Sequence, residues 1–145
     1  MRTLKRITLT SIAVLAGIGL VMAAKDPEVI PNVTGKWAGT WGLIDPETGE
    51  KAEKRAQLTL ECEVVRDENG AWRATFEGEC GRPYKYTIEM EGRQAGDAVL
   101  FKGTTDLGEE DGGVYDWIGR ATGEQFIGFY TNPKYVGLFN MTREE

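Results

Sequence analysis

The chain has 145 residues, with 23 acidic against 17 basic, a net charge of −6 and no histidine. That length suits one domain, and the acidic balance repels nucleic acid and anionic surfaces, which excludes nucleic-acid binding. The lack of imidazole removes the usual general base near neutral pH and the commonest metal and haem ligand.

Residues 1–23 read as a cleavable signal peptide and stand outside the fold. Arg2, Lys5 and Arg6 make a basic start, Ile12–Ala24 is an apolar run of thirteen residues, and Val21-Met22-Ala23 suits the cleavage positions. The run is shorter than the roughly 20 residues of a membrane span. The expectation is a secreted or periplasmic protein with no membrane insertion after cleavage. Cleavage removes three cations and no acid, so the net charge moves from −6 to −9. Residues 24–34, with Pro27, Pro31 and Asn32, read as an extended lead-in whose Val29, Ile30 and Val33 lie against the outside of the fold. Asn32-Val33-Thr34 and Asn140-Met141-Thr142 match the glycosylation triplet, here set aside as chance.

The domain proper spans 35–145 and opens on Gly35-Lys36-Trp37-Ala38-Gly39-Thr40-Trp41-Gly42. In a strand Trp37, Gly39 and Trp41 share one face, and each indole can bury roughly 150–250 Å². Asp45-Pro46-Glu47-Thr48-Gly49 is a turn. From about Ala56 to Arg66, residues Leu58, Leu60, Cys62 and Val64 alternate with polar ones, the mark of a half-buried antiparallel strand. Asp67-Glu68-Asn69-Gly70 closes a hairpin, and the third strand puts Trp72, Ala74, Phe76, Gly78 and Cys80 on one face. Pairing Asp67 with Ala71 sets Cys62 opposite Phe76, Glu61 opposite Glu77 and Cys80 opposite Leu58. That register parts the two sulfurs by roughly 13 Å, beyond the about 7 Å between Cα atoms that a disulfide spans. An oxidising compartment favours a Cys62–Cys80 bond, and a bulge at Gly78 would permit it; the question stays open.

A fourth strand covers Pro83 to Glu91, with Tyr84, Tyr86, Ile88 and Met90 inward, and a fifth covers Ala98 to Gly103. Asp106 to Gly113 is an acidic loop. Strands six to eight cover Val114 to Ala121, Gln125 to Thr131 and Tyr135 to Thr142. No stretch of the mature chain has helical spacing. Eight short strands joined mostly by short turns predict an all-β fold, an eight-stranded antiparallel up-and-down barrel.

In six places an aromatic is followed two residues later by glycine: Trp37/Gly39, Phe76/Gly78, Phe101/Gly103, Trp117/Gly119, Phe126/Gly128 and Tyr135/Gly137. Glycine weakens a strand, so the repetition needs a reason. One is that glycines let strands coil into a small barrel while rings restore the lost cover. The other is that they hollow the lumen into an aromatic-lined cavity. Both faces of the last two strands are apolar, Phe126, Tyr130 and Phe139 on one and Ile127, Phe129, Val136 and Leu138 on the other. Whichever is outside needs cover, from the lead-in or from a second subunit in a homodimer.

The pattern resembles the calycins, the superfamily of lipocalins, fatty-acid-binding proteins and avidins. Gly35-Lys36-Trp37 is similar to the Gly-x-Trp that opens the first lipocalin strand, and Arg143 to the arginine past the last one. The resemblance implies a barrel whose base is closed by Arg143 packed across Trp37, with Gly35 as a structural partner, and a small apolar ligand. A cation–π contact of this kind is worth roughly 0.5–2 kcal/mol.

The chemistry-bearing groups are sparse. The outer Glu61, Glu63, Glu77 and Glu79 read as a solvated face rather than a metal site, and the 106–111 loop lacks the spacing of a calcium loop. The inward faces of strands one to four hold no charge, so no carboxylate with a raised pKa is in view, and Cys62 lacks its usual activating partner. No enzyme, metal or cofactor is expected. The expected function is binding of a small apolar or aromatic ligand in the lumen by Trp37, Trp41, Leu60, Phe76, Tyr86, Ile88, Trp117 and Tyr130. The alternative is a filled barrel acting as an envelope or surface interaction module through the outer face of its last two strands.

Overall fold

Alternation gives every strand an apolar face to bury, and a sheet closed on itself buries eight such faces without leaving an edge. The computed structural model, which describes residues 29–51, 58–79 and 85–145, has that arrangement. Its strands are β1 (Gly35–Ile44), β2 (Leu58–Arg66), β3 (Trp72–Glu79), β4 (Lys85–Ala95), β5 (Ala98–Asp106), β6 (Val114–Ala121), β7 (Gln125–Thr131) and β8 (Val136–Arg143). Each pairs antiparallel with its sequence neighbours, and β8 returns to β1 to close the barrel. The signal-peptide segment 1–23 and the first part of the lead-in lie outside the described residues.

The β2–β3 register is the one the hairpin predicts. Cys62 faces Phe76, Glu61 faces Glu77 and Leu60 faces Gly78, with no bulge in the ladder. The turn is held by the Asp67 amide on the Ala71 carbonyl at 2.8 Å and by the Asp67 carboxylate accepting from Asn69 and Ala71, both at 2.9 Å. Elsewhere the barrel is taller than expected. β4 runs on to Ala95 and β5 to Asp106, joined by the tight Gly96-Asp97 turn with Gly96 at φ +64°. The acidic loop contains a short 3₁₀ turn, Glu109–Asp111, which apolar periodicity could not reveal because none of its residues is buried.

The lead-in corrects an expectation. Val29 and Ile30 are exposed, yet Val33 is buried in the core, so this segment closes the barrel base instead of lying along its outside. The Trp37 indole donates to the Val33 carbonyl at 3.1 Å, and Gln94 Nε2 donates to the Val29 carbonyl at 2.9 Å. Arg143 seals the same end. Its guanidinium carbon sits 4.9 Å from the centre of the Trp37 ring, Nη1 donates to the Thr34 carbonyl at 2.7 Å, Nε to the Gly123 carbonyl at 3.1 Å, and Nη2 to the Asn32 carbonyl. Gly35, at φ +120°, turns the lead-in into β1 with a backbone that side-chain-bearing residues rarely adopt. Hydrogen bonds from a charged donor are worth about 1.5–3 kcal/mol. Arg143→Ala is therefore expected to lower the unfolding free energy by about 2 kcal/mol or more, read as a lower midpoint in urea; an unchanged midpoint would show that the base closes without it.

The open question about the last two strands is settled. Phe126, Tyr130, Phe139 and Met141 are buried, while Ile127 and Phe129 are exposed and Val136 and Leu138 half-buried.

Candidate functional site

All eight residues expected to line the lumen belong to the core or pack against it. They form two groups. Toward the base, Phe126 is surrounded by rings: Trp37 at 5.9 Å, Phe76 at 5.3 Å, Phe101 at 5.0 Å and Phe139 at 5.5 Å between centroids. Toward the mouth, Trp117 stacks on Tyr130 at 4.4 Å, and Trp41 lies 5.7 Å from Trp117 and 5.5 Å from Tyr130. Trp117 and Phe139, 6.2 Å apart, join the two. Leu60 and Ile88 are fully buried, and Tyr86 is half-buried at the mouth, donating its hydroxyl to Asp111. Spacings of 4.5–7 Å are those of rings in contact, so the barrel centre is occupied by its own side chains.

The glycines take part in this filling. A Cβ on Gly137 would fall 1.9 Å from the Tyr130 ring, one on Gly78 2.8 Å from Trp41, and one on Gly128 2.5 Å from Phe139. The rings occupy the space the missing side chains leave, which supports the coiling-and-cover reading of the recurrent pattern over the hollow one. Among the described residues the Trp72 and Trp117 indole N–H groups are buried without an acceptor, an arrangement that costs about 1–3 kcal/mol each.

Cys62 is a buried free thiol whose pKa is pushed up by burial first and by the neighbouring Glu63 second, which keeps it protonated at neutral pH. Cys80 lies outside the described residues, and with it the open question of a Cys62–Cys80 bond. Among the described residues no group of three or more His, Cys, Asp or Glu could hold a metal ion.

The outside of the barrel is more distinctive. The ladder places Lys102, Ile118, Phe129 and Leu138 in one outward row across β5 to β8, and Arg93, Leu100, Arg120 and Ile127 in the next row across β4 to β7. Leu100, Ile118, Ile127 and Phe129 are 49%, 58%, 37% and 44% exposed, a dense set of large apolar side chains for a surface. They floor a groove of about 560 Å³ rimmed by Glu91, Arg93, Lys102 and Arg120. The described part of the lead-in, residues 29–34, is held at the base and does not line it. The apolar half of this face on the last two strands is legible in the sequence, whereas Leu100 and Ile118 with their three cations are a finding of the structure. The signal was present, as Leu100/Lys102 and Ile118/Arg120 alternate with the inward Phe101 and Gly119.

Comparisons of the chain with protein-family models, curated proteins and solved structures return no match.

Proposed function

We propose that this chain is an exported, non-enzymatic binding module that uses the outside of a filled barrel, not its lumen, to hold an apolar partner. The observation that carries the reading is the contrast between a centre packed ring on ring and an outer groove floored by exposed Leu100, Ile118, Ile127 and Phe129. Monomers rarely keep a contiguous apolar patch without a use for it. Export is supported by the basic start and short apolar run of residues 1–24. Outward Glu61, Glu63, Arg73, Glu77 and Glu89 argue against strands that face lipid, because membrane barrels put apolar side chains outside. The likeness to calycins is a proposal about ancestry that rests on Gly35, Trp37 and Arg143 alone. A lumenal ligand, the other reading, would have to displace rings already in mutual contact.

Nile red, an uncharged apolar dye, tests the groove. Its fluorescence should rise on binding, and Ile118→Glu should weaken that binding by about tenfold or more, since an exposed floor residue of this size contributes roughly 1.5–3 kcal/mol when covered. The urea midpoint of the variant should stay within error. Dye binding that is indifferent to Ile118→Glu overturns the outer-face reading.

A further inference from the structure

We infer that the occupant of the outer groove is a single-chain amphiphile with an anionic head group, its head on Arg93, Lys102 and Arg120 and its chain across Ile118 and Phe129; this rests on the outer-face reading above. Leu100 is the hub. Arg93 stands opposite it on β4 and Arg120 opposite it on β6, while Lys102 follows on the same outward face of β5. Directly opposed side chains on neighbouring strands have Cβ atoms about 4.5–5.5 Å apart, so Arg93 and Arg120 flank Leu100 from both sides, with Lys102 two residues further on and opposite Glu91. Arg93 and Lys102 make no ion pair among the described residues, and Arg120 reaches only the exposed Asp97 at 3.5 Å. Glu91 is the one acid in the lining. Three cations against one acid is the reverse of the chain as a whole, which carries a net charge of −6.

From that cationic corner the row Ile118, Phe129, Leu138 leads away across β6, β7 and β8. Three strand spacings carry it about 14 Å from β5, comparable to an extended dodecyl chain. The groove volume of about 560 Å³ falls within the range of small-molecule sites.

Other occupants fit less well. Because the barrel is closed, it offers no strand edge for an added peptide strand. An extended peptide would set its own amides unsatisfied on an apolar floor, whereas an alkyl chain has none to satisfy. A second copy docked with the axis through this corner would set the cations of both copies in one interface. A bilayer would meet a concave surface on a molecule whose opposite flank carries Glu61, Glu63 and Glu77.

Calorimetric titration of the full mature chain with dodecanoate, dodecyl maltoside and dodecyltrimethylammonium, each below its micelle concentration, separates the cases. Dodecanoate should bind at one site, at least about tenfold tighter than the other two, and weaken as salt is raised. The double variant Lys102→Ala/Arg120→Ala should erase most of that preference while binding the uncharged detergent as before. Equal affinity for charged and uncharged chains, with Ile118→Glu still abolishing both, overturns the anionic head and leaves the outer-face reading intact. Binding of dodecanoate that ignores both variants overturns the two together. Sedimentation with anionic vesicles, or a dimer by light scattering that Ile118→Glu dissolves, in each case without binding of monomeric dodecanoate, assigns the face to a membrane or a second copy and overturns the inference.

Discussion

Trp37→Ala should lower the unfolding free energy by about 3–5 kcal/mol, the range for deleting a large buried aromatic. This indole is fully buried and serves the base in three ways. Its edge meets Phe126 at 5.9 Å, its face carries the Arg143 guanidinium at 4.9 Å, and its N–H binds the Val33 carbonyl at 3.1 Å. Alanine removes all three and leaves a cavity among side chains already fixed by their strands. Domains of this size are stable by only about 5–15 kcal/mol, so the variant is expected to be partly unfolded at 37 °C. Guanidinium titration followed by circular dichroism measures the loss, and Trp37→Phe should recover part of it by restoring the ring without the N–H. A loss below about 1 kcal/mol for Trp37→Ala would contradict the assigned role.

Gly39→Ala should be nearly as damaging, through backbone instead of cavity. A Cβ at this position would lie 2.0 Å from the Asn140 carbonyl oxygen and 2.7 Å from the Met141 Cα. Those atoms belong to β8, whose pairing with β1 closes the barrel. A flexible side chain could swing aside; a strand held on both sides cannot move without breaking ladder bonds. Overpacking of this kind costs about 1–3 kcal/mol and occasionally more, and here the strain falls on the seam. Amide hydrogen exchange should show protection lost first at Gly39–Trp41 and Phe139–Met141. Retained protection there, with an unchanged melting temperature, would mean that the strands tolerate the extra carbon. Gly123, which has nothing within 4 Å of its Cβ position, is the control substitution.

Much of this architecture was legible because period-two alternation leaves little freedom once a strand is half-buried. The Trp37–Trp41 face and the Cys62–Phe76 register followed from spacing, and the meeting of Arg143 with Trp37 is what the resemblance to calycins implied. The direction of Val33 is not legible, because it sits beside Pro31 and Asn32 with no strand pattern; the barrel end shows that it caps the core. β4 continues four residues past Glu91 to Ala95, with Gly92 lying under the Phe101 ring. On β7 and β8 both faces are apolar, so alternation alone could not orient them. The filled centre was beyond sequence for a different reason: a ring-and-glycine repeat is compatible with a packed or a hollow barrel, and ring-to-ring distances decide between them. The cationic groove joins residues of four strands, β4 to β7, and Arg93, Lys102 and Arg120 read singly as ordinary solvated charges.

The most direct measurement is a methyl NMR titration of residues 24–145 with dodecanoate. Shifts confined to the methyls of Leu100, Ile118, Ile127 and Leu138 are expected, with Leu60, Ile88, Met90 and Met141 unmoved. Shifts concentrated on those interior methyls would place the ligand among the core rings and contradict an outer-face site on a filled barrel.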